Sequence, residues 1–241
     1  LLAKWLPRKG ALANIIRGYL GLTPKAYRKL LVNLSNTVEQ KMCANEWSGI
    51  KYESVPSVAM NKYRKAFARN DGMRYSAFIE AVIKGETTIK AKDLFPYQLY
   101  QAFKRRENPK SIEAQWMNLP NYMEGNPHRI IPMCDTSGSM TTNYGMGKTT
   151  LTPIDISVSL GIYISERNEG IFKDAFLTFS GKPRLQYLKG SFTARCTQLE
   201  KADWEMNTNL EAAFRLLLTK AIENKVPYNQ MPNMILIISD M

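Results

Sequence analysis

Asp135 opens the run Asp-Thr-Ser-Gly-Ser at 135–139, directly after the apolar stretch Ile130 to Cys134, and Asp240 follows a second apolar stretch, Met234 to Ser239. Two strands that each end in an aspartate would deliver carboxylates to one edge of a sheet. Between them, Asn207-Thr208-Asn209-Leu210 reads as a polar loop feeding a helix. Asp135, Ser137, Ser139, Thr208 and Asp240 together offer carboxylate and hydroxyl oxygens and no nitrogen or sulfur. Such hard donors suit Mg2+, with Mn2+ or Ca2+ as the other candidates. Magnesium takes about six oxygens and keeps several waters, so five side chains with one open position suffice.

Other chemistries have little material. His128 is the single histidine, which leaves almost nothing for a His-based metal site or a Ser-His-Asp triad. Cys43, Cys134 and Cys196 are odd in number and far apart, so reduced, buried thiols are expected rather than a disulfide framework or a zinc cluster. Gly147-Lys148-Thr149 invites a phosphate-loop reading, but Thr142 stands where a Walker loop needs glycine, and no strand runs directly into it. No nucleotide cofactor is expected, and 140–150 reads as a polar loop beside the metal site. A hydrolase would need a base or nucleophile besides the metal-binding aspartates, so the chain is expected not to be an enzyme.

The elements that must position these residues fall into two halves. In the first, a helix is predicted from Pro24 toward Cys43 through Tyr27, Leu30, Leu31 and Leu34. Ser48 to Pro56 is turn-rich. Further helices are predicted from Ser57, around Tyr75 to Val82 with Gly85 closing it, from Pro96 to Arg106, and over Ile112 to Met117. In the second half, strands at 130–134, 175–179, 184–188 and 234–239 alternate with helices at 153–167, 192–201 and 210–224. That alternation predicts a parallel, doubly wound sheet with helices on both faces, whose ligands bind at the carboxyl ends of the strands. The expected division is 1–125 all-α and 126–241 α/β.

Charge divides the same way. Residues 1–130 hold 22 Lys/Arg against 10 Asp/Glu, whereas 131–241 hold 11 of each, so the whole excess of +12 lies in the first 130 residues. That half is expected to face an anionic partner. Arg64, Lys65, Arg69, Arg74, Lys104, Arg105 and Arg106 are the candidate phosphate contacts, with Tyr63, Phe67 and Tyr75 as possible stacking surfaces. RNA, or an acidic protein, satisfies this equally. No stretch approaches the roughly 20 apolar residues of a membrane span, so no membrane partner is expected. The chain opens on Leu1 without an initiator Met or a signal-peptide pattern, which predicts a cytoplasmic protein lacking its own start.

Asp-x-Ser-x-Ser, a later Thr before a helix and an Asp ending another strand resemble the metal-ion-dependent adhesion site (MIDAS) of von Willebrand factor A-type (vWA) domains, on Asp135, Ser137, Ser139, Thr208 and Asp240. The resemblance implies that both serines bind the metal directly, that the threonine and aspartates act directly or through water, and that a partner's Asp or Glu completes the shell. Trp204 shortly before Asn207-Thr208-Asn209, the closing Ser-Asp-Met, Val55-Pro56-Ser57 and Ala59-Met60 resemble the family called domain of unknown function 2828, over nearly the whole chain. More distantly, the layout is similar to Ro (TROVE) proteins, whose helical ring binds non-coding RNA. These likenesses imply a helical RNA-binding half followed by a Rossmann-like vWA domain, or else a protein–protein adhesion module with no RNA role. A vWA sheet usually has six strands with the one ending in Asp240 near the middle, so about two strands are expected to be missing beyond Met241.

Overall fold

The computed structural model describes residues 2–142, 151–202 and 209–240. It starts with α1 (Leu2–Trp5), α2 (Ala11–Tyr19) and α3 (Pro24–Ser35), which close over a small core of Ala3, Ala13, Tyr27 and Leu31. The single helix expected from Pro24 to Cys43 is broken. Asn36 takes the left-handed conformation (φ 42), which asparagine tolerates better than most residues, and α4 (Val38–Cys43) restarts behind it. Gln40 accepts the Thr37 backbone N–H at 3.0 Å, half of the capping box that begins the new helix.

The turn-rich stretch forms two short 3-10 turns and leads into α5 (Ser57–Asn70) and α6 (Gly72–Ile83). Asp71 between them accepts the Tyr52 hydroxyl at 2.7 Å and pairs with Arg74 at 2.9 Å. Tyr52, Phe67 and Tyr75 meet ring to ring at 5.3–5.6 Å in a core with Met60, Ile79 and Val82. Gly85 (φ 77) ends α6: its N–H and that of Glu86 return to the carbonyls of Val82 and Ala81. Next come α7 (Pro96–Lys104) and α8 (Pro109–Met117), each with proline in its first turn.

The second part holds β1 (Ile130–Cys134), α9 (Pro153–Arg167), β2 (Ala175–Thr178), β3 (Leu185–Tyr187), α10 (Phe192–Glu200), α11 (Leu210–Glu223) and β4 (Met234–Ile238). The sheet order is β3-β2-β1-β4, with β1 parallel to both its neighbours. The expected all-parallel sheet is corrected at one position, since β3 runs antiparallel to β2. Only residues 179–184 join them, a hairpin-length link, whereas a parallel crossover needs a dozen residues or more. The part is therefore a small mixed sheet with helices on both faces. Ile130 and Cys134 face the core that includes α9 and α10, and Ile131 and Met133 face the one that includes α11. Every residue of β1 is buried, as a central strand requires.

The first of these cores does not stop at the expected division at 125/126. Leu99, Tyr100, Ile112 and Trp116 of the helical half share it with Val158, Ile162, Phe176 and Phe192. Trp116 stacks on Phe192 with ring centroids 3.8 Å apart and donates its indole N–H to Glu166 at 2.6 Å. No helix among the described residues is long and apolar enough to cross a membrane.

Candidate metal centre

β1 and β4 are parallel and in register, Cys134 opposite Ile238, so the residues that follow each strand emerge side by side. The Asp135 N–H continues the ladder to the Ile238 carbonyl at 3.0 Å, and Asp135 is 3% exposed. Its Oδ1 accepts the Ser137 backbone N–H at 2.8 Å and its Oδ2 the Ser239 hydroxyl at 2.7 Å. The first bond turns the chain back on itself, and Gly138–Thr141 continue as a 3-10 turn pinned by the buried Met140. The turn sets the Ser137 and Ser139 hydroxyl oxygens 3.0 Å apart, and Ser139 donates to Asp240 Oδ1 at 3.1 Å.

Of the five residues expected in the site, Asp135, Ser137, Ser139 and Asp240 are thus brought together. Thr208 lies outside the described residues, as do Trp204, Asn207, Met241 and the Gly147-Lys148-Thr149 segment. The neighbour of Thr208, Asn209, is placed at the same edge: its N–H donates to the Ser180 carbonyl just past β2, and its side chain accepts from Ala212 N–H at the start of α11. Among the described residues no group of three or more His, Cys, Asp or Glu lies within reach of one ion. A site built of two carboxylates and two serines is not of that kind. Its oxygen donors fit a hard divalent cation.

The thiol next to the site is buried. Burial pushes Cys134 up to about 12, so it stays protonated at neutral pH. His128 precedes β1 and lines a cleft of about 410 Å³ with Arg129, Arg167 and Asn168, at the opposite end of the strand.

The sequence reading missed two neighbours. Ser239 positions Asp135, and Asp155 holds the helix behind the loop. Asp155 is fully buried in the first turn of α9, where its carboxylate pairs with Lys104 at 2.5 Å and accepts from Gln101 at 2.9 Å and the Thr152 N–H at 3.2 Å. Thr152-Pro153-Ile154-Asp155 has capping-box spacing, which was the available signal. Between α7 and the Asp135 loop runs a cleft of about 280 Å³ lined by Tyr100, Lys104, Thr136, Thr141, Thr152 and Glu200.

The seven basic candidates do not form one surface. Arg64 is 2% exposed, facing Glu107 at 3.4 Å and donating to Gln115 at 2.7 Å and to Asn61. Burial removes it from the phosphate set. Arg74 is bound to Asp71 and to the Trp47 and Ile50 carbonyls, Lys104 to Asp155, and Arg105 to the same Glu107. Lys65 is exposed but also lies 3.6 Å from Glu107, while Arg69 and Arg106 are exposed. Phe67 and Tyr75 are core residues and offer no stacking surface, and Tyr63 is half-buried. A groove of about 670 Å³ lined by Lys41, Lys51, Lys62 and Tyr63 lies elsewhere on this half.

Residues 15–126 match the family model described as Domain of unknown function (DUF2828), and residues 129–241 match the one described as Domain of unknown function (DUF7788). The likeness to the first, expected over nearly the whole chain, is thus confined to the helical half. The chain is 27% identical to Uncharacterized protein L728 of Acanthamoeba polyphaga mimivirus, over all of this chain and 46% of that protein. It therefore spans about half the length of the curated relative it matches. No solved structure matches it.

Proposed function

We propose that the chain is a non-enzymatic binding module of vWA type, in which a divalent cation held by Asp135, Ser137, Ser139 and Asp240, with Thr208, captures a carboxylate of a protein partner. The observation that carries this reading is the convergence of the Ser137, Ser139 and Asp240 oxygens within 3.0–3.1 Å steps beside the anchored Asp135. Serine supplies oxygen without charge, so the two aspartates only balance the dication and an open coordination position is left for an incoming Asp or Glu. A protonated, buried Cys134 and a histidine at the far end of β1 supply neither nucleophile nor base, which favours binding over hydrolysis.

The RNA reading of the helical half has weaker support. Five of its seven candidate cations are paired with carboxylates, amides or carbonyls, and the aromatic partners Phe67 and Tyr75 are buried.

Titration of the chain with Mg2+ or Mn2+ by calorimetry tests the metal reading. Asp135→Ala is expected to abolish binding, and Ser139→Ala, at an exposed position, to weaken it with unchanged thermal stability. Equal metal affinity in the parent chain and in both variants would overturn the proposal. A chain that binds metal equally in all three forms holds it somewhere else.

A further inference from the structure

Residues 1–38 hold seven Lys/Arg (Lys4, Arg8, Lys9, Arg17, Lys25, Arg28 and Lys29) and no Asp or Glu. The same segment leaves much of its apolar surface uncovered. Its buried core is two alanines, one tyrosine and one leucine, with Leu6, Ile16 and Leu22 partly buried against it, whereas Leu2, Trp5, Leu12, Ile15, Tyr19 and Leu34 are exposed by 57–92%. Leu12, Ile15 and Tyr19 follow one another at i, i+3 and i+7 on α2, so they form a single stripe. Arg8, Lys9, Lys25, Arg28 and Lys29 of the same segment are exposed as well.

We infer that α1–α3 form a docking face for an anionic lipid surface, on which the stripe enters the headgroup and acyl boundary while the cations meet lipid phosphates. Cationic, acid-free helices with an apolar face are the form of segment that lies in the plane of a bilayer interface. The absence of a spanning stretch does not bear on a helix lying flat. Other occupants fit less well. A second copy would oppose two acid-free cationic surfaces. Nucleic acid would meet the cations and could stack on Trp5 and Tyr19, but it would leave Leu2, Leu12, Ile15 and Leu34 in water. A peptide would want a groove, and none of the three clefts described above is lined by these side chains. A lipid surface supplies negative charge and hydrocarbon together.

Sedimentation of the 241-residue chain with vesicles of phosphatidylcholine alone, or with phosphatidylserine added, tests the inference. Binding is expected only to the anionic vesicles, falling as salt rises. It should drop at least roughly tenfold in Ile15→Asp, which puts a charge in the apolar stripe, and by about as much in the double variant Lys25→Glu/Lys29→Glu. All three side chains are exposed, so thermal unfolding should match the parent chain and exclude misfolding as the cause. No binding to anionic vesicles at low salt would overturn the inference, as would equal binding to neutral ones. Retained binding in both variants would do the same. So would self-association that Ile15→Asp abolishes without any lipid affinity. EDTA should leave vesicle binding unchanged, which separates this face from the metal site.

Discussion

Gly161 lies on α9 where an added β-carbon would come 2.3 Å from the Cys134 sulfur, closer than any side chain can approach. Cys134 ends β1, so this contact sets how near α9 sits to the strand that carries Asp135. Gly161→Ala is expected to lower stability by about 1–3 kcal/mol, the usual cost of overpacking. The same substitution in a Cys134→Ala background should cost much less, because the clashing atom is gone. Denaturant unfolding of the four chains checks this, and equal costs in both backgrounds would show that the contact is not what matters. At this scale the sequence was informative where chemistry is written into residue types. The serines and aspartates at 135–139 and 240 stand out because their oxygens and strand-end positions imply a ligand. Ser239 and Gly161 do not stand out, because their roles depend on which strand or sulfur lies opposite.

Helix α7 shows how an element's meaning depends on its neighbour. Lys104 reads as an exposed cation at a helix C-terminus, yet its ammonium crosses to α9 and neutralises Asp155, a carboxylate with no exposure at all. Lys104→Ala is expected to cost about 3 kcal/mol, since it strands a buried charge. Asp155→Asn should cost less, because Lys104 is 38% exposed and solvates readily while the amide oxygen still accepts from Gln101 and Thr152. Urea titrations of the two variants measure the order, and the reverse order would mean that the ion pair is not the main contact between these helices. The start of α3 and helices α5 to α11 were legible from apolar spacing and from Pro24, Pro96 and Pro153. The break at Asn36 was not, because Leu34 and Val38 keep helical spacing across it and only the left-handed backbone interrupts the run. The direction of β3 was missed because alternation with helices was read without weighing the six-residue link.

At the scale of the molecule, β4 pairs with β1 alone among the described residues, and Met234 and Ile237 are 38% and 40% exposed. On α11, Phe214, Leu218 and Ile222 are exposed by 55–77%. An apolar strand edge and an exposed apolar helix face each promote association. Leu218→Glu with Ile222→Lys should raise the concentration at which the chain stays monodisperse by light scattering, with little change in melting temperature. A large fall in melting temperature instead would show that these side chains are packed. The expectation of further strands came from the vWA resemblance, which puts the strand ending in Asp240 near the middle of a sheet.

Trp116 and Phe192, stacked at 3.8 Å, come from stretches that match two different family models. Together with Tyr100, Ile112, Val158 and Ile162 they form one interior that ignores the seam between those models. A protease that nicks the connection around 121–127 would therefore cut the backbone without releasing either piece, since neither could leave without exposing Trp116 or Phe192. By the same logic the two stretches are poor candidates for shuffling between proteins: a relative that carried one without the other would have to supply its own replacement for half of an aromatic stack.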